Sequence, residues 1–204
     1  MITVVDYGMG NLRSVQKALE LFYPDVKISS SPQGILASDK LVLPGVGAFD
    51  KAMEELKERN LAEAIVKFIE KGRPFLGVCL GLQLLFSESE EGGKAKGLDV
   101  LKGSVKKFKE TKGLKIPHMG WNNIKLKIKN KKSKILDGIE DGSYMYFVHS
   151  YYVEPEDKGI ILCQTKYGDI FTSGVHKDNI YAFQFHPEKS QACGLKIVEN
   201  FVGI

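Results

Sequence analysis

The chain opens on Ile2-Thr3-Val4-Val5, a short β-branched run of the kind that forms a strand buried on both faces. Gly8-Met9-Gly10-Asn11 then turns the chain, and Val15, Ala18, Leu19 and Phe22 mark one face of a helix. Val26 to Ser29 reads as a second strand, and Ser31-Pro32 offers an N-cap and an N1 proline for a short helix. Leu41-Val42-Leu43 is a third buried strand, closed by Pro44-Gly45. The spacing predicts helices over Phe49 to Glu58 and Leu61 to Glu70, before Pro74 to Val78 returns as a strand. Strands alternating with helices imply a parallel sheet with helices on both faces.

The second half changes character. Ser104 to Phe108, Asn122 to Ile128, Tyr144 to His149, Gly159 to Tyr167, Ile170 to His176 and Ile180 to Phe185 are short β-type runs separated by turn residues. Glu88 to Gly97 is expected to be a long surface loop, and Gly194 to Val202 a closing helix with Leu195, Val198 and Phe201 on one face. The fold class that follows is α/β: one domain over residues 1–204, with a central, mostly parallel sheet flanked by helices. Additional antiparallel strands belong to its C-terminal half.

The 204 residues are 43% hydrophobic and 26% charged, an ordinary balance for a globular chain able to bury its own core. A net charge of +4 is too small to argue for nucleic acid, and no aromatic-interleaved basic stripe supports it. The most basic stretch, Lys125 to Lys134, reads as a solvated strand edge or hairpin. Cys79, Cys163 and Cys193 are odd in number, far apart and without a C-x-x-C pair, so neither a disulfide framework nor a metal site is expected. Reduced thiols suit the cytoplasm. The N-terminus carries no basic leader, and no apolar run approaches the roughly 20 residues that cross a bilayer. A membrane role is not expected.

Candidate chemistry begins at Phe75-Leu76-Gly77-Val78-Cys79-Leu80-Gly81, where an apolar strand runs into Gly-x-Cys-x-Gly and a helical stretch follows. This is a nucleophile-elbow layout with sulfur in place of serine oxygen. The glycines make room for a sharp, strained turn that lifts the thiol above the sheet beside a helix N-terminus, which favours thiolate. Of the four histidines, only His186 follows an apolar strand and is followed at once by Pro187-Glu188. His186 is the candidate base, and Glu188 could hold its ring in the required tautomer. Pro44-Gly45-Val46-Gly47, at the end of a strand, leaves backbone N–H groups free to face an anion. Together with the N–H of Leu80 it is a candidate oxyanion hole, although alone it would read as an ordinary tight turn. Cys163 and Cys193 read as core.

These residues together resemble the class I (triad) glutamine amidotransferase family. Gly77-Val78-Cys79-Leu80-Gly81-Leu82-Gln83 is similar to its nucleophile motif and Phe185-His186-Pro187-Glu188 to its His-x-Glu motif. Asp6 to Leu12, Pro44 to Gly47, Pro117 to Asn122, His149-Ser150-Tyr151 and Phe185 to Ser190 extend the resemblance over nearly the whole chain. It implies glutamine as substrate and a Cys79-His186-Glu188 triad. The oxyanion would be bound by Leu80, Val46 and Gly47, with a peptide flip at Val46, and glutamine by Gly45, Gln83, His149, Ser150 and Tyr151. No cofactor or metal is implied. The same resemblance implies that Asn11, Trp121 and Lys189 face a partner, a cyclase or synthase subunit built as a phosphate-binding (β/α) barrel, which consumes the ammonia and raises the glutaminase rate. Three other readings stay open: the same chemistry serving another acceptor such as a sugar, a cysteine peptidase or γ-glutamyl hydrolase, and an inactive regulatory subunit.

Overall fold

Four apolar runs of the first half become β1 (Ile2–Val5), β2 (Val26–Ser29), β3 (Lys40–Leu43) and β4 (Phe75–Val78). They alternate with α1 (Leu12–Glu20), α2 (Pro32–Ala37), α3 (Phe49–Glu58) and α4 (Leu61–Glu70). This computed structural model describes residues 1–110, 113–127 and 133–204. The anticipated cap is present, with Ser31 Oγ accepting from Gly34 N–H at 3.1 Å ahead of Pro32, and Asn11 Oδ1 caps α1 by accepting from Ser14 N–H at 3.3 Å. β1 and β4 are buried throughout, as their continuous apolar sequences require. Successive side chains fall on opposite faces. Val4 and Val42 join one core with Leu19 and Phe201, while Val5, Leu41 and Leu43 join another with Phe49, Leu56 and Phe68.

After the short helix α5 (Leu80–Gln83) the chain is largely β: β5 (Phe86–Ser89), β6 (Ala95–Lys96), β7 (Leu101–Lys107), β8 (His118–Asn123) and β9 (Lys125–Leu126). Then come β10 (Tyr144–His149), β11 (Tyr151–Pro155), β12 (Ile161–Tyr167), β13 (Asp169–Lys177), β14 (Ile180–Phe183) and the closing helix α6 (Gln191–Gly203). Among the described residues one sheet holds twelve strands, in the order β2-β1-β3-β4-β14-β13-β11-β7-β5-β6, with β12 on β13 and β9 on β12. The five strands from β2 to β14 are parallel, and the extension beyond them is mostly antiparallel. β8 and β10 form a separate antiparallel ribbon.

Several elements differ from expectation. Glu88 to Gly97 is not one loop: β5 and β6 pair across it, and Ser89 is buried. β11 pairs with both β7 and β13, although its sequence, ending in Pro155, gave no strand pattern. The strand expected from Asn122 begins at His118 and is interrupted at Ile124. Of the basic stretch, Lys125 and Leu126 pair with β12, while residues 128–132 lie outside the described residues. Cys163 is buried as expected, but Cys193 is exposed on α6. Among the described residues no helix is long and apolar enough to cross a membrane.

Candidate active site

β4 delivers Cys79 into a backbone conformation of φ 55° and ψ −107°, which side-chain-bearing residues rarely occupy. The surroundings hold it there. Cys79 N–H donates to Phe183 O at 2.7 Å, and a Cβ on Gly81 would sit 1.9 Å from the Leu43 carbonyl oxygen. That glycine therefore lets the chain turn tightly against β3. The thiol is almost fully buried.

The base arrives from the neighbouring strand. β4 and β14 run parallel with Val78 opposite Phe183, so Cys79 and His186 both emerge beyond the carboxyl ends of adjacent strands. His186 Nδ1 and Glu188 Oε1 are 2.8 Å apart, with both side chains 3% exposed. Pairing with the carboxylate leaves Nδ1 as the donor, and Nε2, buried and without another partner among the described residues, is left to the adjoining Cys79 sulfur. Burial pushes the imidazole pKa down, but the adjoining Cys79 sulfur and Glu188 carboxylate outweigh it and raise it to about 10. The ring is thus held as an imidazolium next to the sulfur.

A cleft of about 320 Å³ opens over the thiol. Val46, Gly47, Leu80 and Gln83 line one part of it, and His149, Ser150 and Tyr151 another. Gly45 is not a lining residue. Instead its carbonyl accepts the Leu80 N–H at 3.4 Å, so the donor expected for an oxyanion is occupied. Gly47 adopts φ +99°, and Gly45 is wedged where a Cβ would meet the Tyr7 hydroxyl at 2.4 Å.

A family model described as "Glutamine amidotransferase class-I" matches residues 3–203. The chain belongs to the class I glutamine amidotransferase family. Among its relatives, "Imidazole glycerol phosphate synthase subunit HisH" of Aquifex aeolicus is 55% identical over 199 residues, covering 97% of this chain and 94% of that one. The protein of the same description from Methanocaldococcus jannaschii is 52% identical, covering 99% and 98%. A solved structure described as a glutamine amidotransferase superposes with a TM-score of 0.75 at 19% identity, covering both chains completely. At that identity the likeness speaks for the fold.

Two cleft features of this amidotransferase escaped the sequence reading. Glu91, within the stretch read as loop, lines the cleft, and its Oε2 accepts from Phe49 N–H at 2.8 Å. Burial raises its carboxyl pKa, opposed by that N–H. No periodicity marks such an inward-turned acid, although the acidic run Glu88-Ser89-Glu90-Glu91 could have flagged it. The second feature is a buried relay. Asn122 Nδ2 donates to His118 Nε2 (3.2 Å) and to Lys166 O (3.0 Å). His118 Nδ1 lies 3.0 Å from His149 Nε2, and His149 Nδ1 lies 2.8 Å from Tyr151 O. The amide donor at one end and the carbonyl acceptor at the other fix both tautomers: each ring donates through Nδ1 and accepts through Nε2.

Burial lowers the pKa of His118 to about 4 and that of His149 to about 3, from an ordinary 6.5, and both rings are neutral at neutral pH. An unfolded chain takes up these protons below about pH 6.5, whereas the folded one resists until about 4 and 3. Stability is therefore expected to fall as pH drops through that window. Thermal melts from pH 7 to 4 should show it, and His118→Asn should make the slope shallower. A melting temperature that His118→Asn leaves with the same pH slope would count against this.

The residues expected at a partner face are all at the surface: Asn11, Lys189 and Trp121, the last 45% exposed. Trp121 stands opposite Tyr146 across the β8–β10 ribbon, and Tyr146 O accepts from His186 N–H at 2.9 Å. The Asn11 loop reaches the cleft by another route. A Cβ on Gly10 would lie 3.7 Å from Gly45 Cα, and one on Gly47 would lie 2.6 Å from Met9 Cε.

Proposed function

We propose that this chain hydrolyses glutamine to glutamate and ammonia as the glutaminase subunit of an imidazole glycerol phosphate synthase, in histidine biosynthesis. The observation that carries the reading is the alignment of Cys79 on its strained elbow with the buried His186–Glu188 pair, in a chain that shares half its residues with subunits so described. In this reading the Cys79 thiolate attacks the side-chain amide carbon, forming a C–S bond and a tetrahedral oxyanion. His186 gives its Nε2 proton to the departing nitrogen, which leaves as ammonia. The neutral imidazole then takes a proton from water as it attacks the thioester. Glutamate leaves, and the proton returns the enzyme to its starting state. Glu188 holds the ring and stabilises its charge.

Glutamine fits the cleft as a zwitterion. Glu91 is the acid positioned for its α-ammonium group, and the Ser150–Tyr151 segment and the Gly47 loop enclose the rest. Glu91→Gln is expected to raise KM for glutamine about 10- to 100-fold with little change in kcat, the effect of losing a charge-assisted hydrogen bond in uniform binding. Steady-state kinetics would check it, and an unchanged KM would remove Glu91 from the binding site.

The ammonia passes to a synthase partner, which we take to be a (β/α) barrel binding a phosphorylated nucleotide and contacting Asn11, Trp121 and Lys189. The test is transfer of label from amide-15N glutamine into imidazole glycerol phosphate by the reconstituted pair, with Cys79→Ala as control. Label that reaches the product only through intact Cys79 supports both activity and acceptor. Glutamate release without transfer to that product would point to another acceptor.

A further inference from the structure

Gln184 sits between Phe183 and Phe185, two residues before His186 and with no exposed surface. Its Nε2 donates to Cys79 Sγ at 3.6 Å, and its Oε1 accepts from Gln83 Nε2 at 3.0 Å. Gln83 Nε2 also donates to Tyr151 O at 3.0 Å. A backbone carbonyl only accepts, so Gln83 must present its NH2 group there. The same NH2 meets Gln184, which must answer with its oxygen. Gln184 is left no choice but to aim its NH2 at the sulfur. Reversing either amide would set oxygen against oxygen or nitrogen against nitrogen in a buried site.

We infer that Gln184 is a further catalytic residue of this glutaminase, a fixed neutral donor that holds the Cys79 thiolate for attack, and that Gln83 is the positioning residue which fixes its polarity. The inference rests on Cys79 being the nucleophile, as proposed above. Besides His186, the sulfur has two neutral hydrogen-bond partners of opposite kind among the described residues. The Val148 carbonyl, 3.9 Å away, accepts only from the protonated thiol, whereas the Gln184 amide favours the thiolate. A donor tied at its far end cannot turn away when charge develops, which is the condition for preorganised electrostatic stabilisation. Once sulfur enters the thioester it loses its charge, and the Gln184 bond weakens. The donor therefore also favours the thiolate as leaving group when the intermediate breaks down.

The titratable groups around the sulfur and in the cleft beside it are His186 and Glu188, after β14, Tyr7, after β1, Glu91, after β5, His149, on β10, and Tyr151, on β11. None is altered by changing Gln184. The experiment follows carbamidomethylation of Cys79 by iodoacetamide from pH 5 to 10, read on the Cys79 peptide by mass spectrometry so that exposed Cys193 does not interfere. Gln184→Met keeps the length and removes the donor. It is expected to shift the midpoint of the rate profile upward by about one pH unit and to slow labelling well below that midpoint about tenfold, as for a lost hydrogen bond to a charged group. Rates should converge at the alkaline end. A profile that coincides with wild type, from folded protein, overturns the inference. If Gln184→Met does not fold, Gln83→Met is read instead: it keeps Gln184 but frees its amide to rotate, and the shift should have the same sign and be smaller. No shift in that variant also overturns the inference. Alkylation needs no glutamine turnover, so failure here is distinct from failure of the glutaminase reading, which glutamate release by the wild-type complex tests.

Discussion

Cys79→Ala is expected to lower glutamate release by the liganded complex on the order of a millionfold, the scale seen when the nucleophile of a catalytic triad is removed. No neighbouring group can replace it. Cys163 lies fully buried on β12, and Cys193 is exposed on α6. The elbow gives a second, independent readout. Alanine at position 79 would keep a Cβ at φ 55°, whereas glycine tolerates that angle freely. Strain of this kind costs about 1–3 kcal/mol, and the extra backbone entropy of glycine offsets roughly 0.5–1 kcal/mol of the relief. Cys79→Gly should thus be as inactive as Cys79→Ala yet more stable by about 1 kcal/mol in a denaturation experiment. Equal stabilities would show that the turn is relaxed and that the sulfur's position is not held by strain.

The second large effect concerns the partner. With Leu80 N–H given to Gly45 O, one of the donors expected for an oxyanion is occupied. Rotating the Gly45–Val46 peptide would free Leu80 and bring the Val46 N–H into the hole. A missing oxyanion donor typically costs about 100- to 1000-fold. The subunit alone is therefore expected to hydrolyse glutamine at least about 100-fold more slowly than the complex with its nucleotide bound. The route for such control is short. Gly10 packs on Gly45 and Met9 on Gly47, so a partner resting on Asn11, as proposed, would press on the loop expected to rotate. The effect is a population shift, and the liganded partner must favour the rotated state by the same factor. Stopped-flow or steady-state glutamate release, with and without the liganded partner, checks this. Equal rates would place the rotation outside the catalytic cycle.

The legible parts of this molecule are those where one residue type has one physical use. Strands buried on both faces are continuous apolar runs, so β1, β3 and β4 fell within a residue of expectation. A cysteine between two glycines after such a strand has few purposes, and Cys79 stood out for that reason. The Pro44–Gly47 loop was legible as a turn beside the cleft but not in the direction of its peptides, since which way a peptide points leaves no mark on residue identity. The β5–β6 hairpin was hidden by polarity: Ser87 to Glu91 is all serine and glutamate, yet Ser89 and part of Glu91 turn inward to satisfy backbone groups. β11 was hidden because Val153 and Pro155 are its only buried residues. Gln184 was passed over as one polar letter in an apolar strand. A glutamine flanked by Phe183 and Phe185 has to find a partner for each end of its amide, and that is the signal to read in such a run.

The β8–β10 ribbon shares no ladder with the twelve-stranded sheet, and this has a mechanical consequence. Its Met145 and Phe147 pack into the core, and hydrogen bonds also tie β10 to the segment after β14. One is the bond from His186 N–H to Tyr146 O, and another is the bond from Tyr146 N–H to Ser190 Oγ. Trp121 lies directly across from that anchorage, and His149 lies three residues further along β10, in the wall of the cleft. A partner resting on Trp121 would thus meet the ribbon opposite that anchorage, about 10 Å along β10 from the cleft wall at His149. The segment that carries the base and the strand that walls the cleft would feel the same contact.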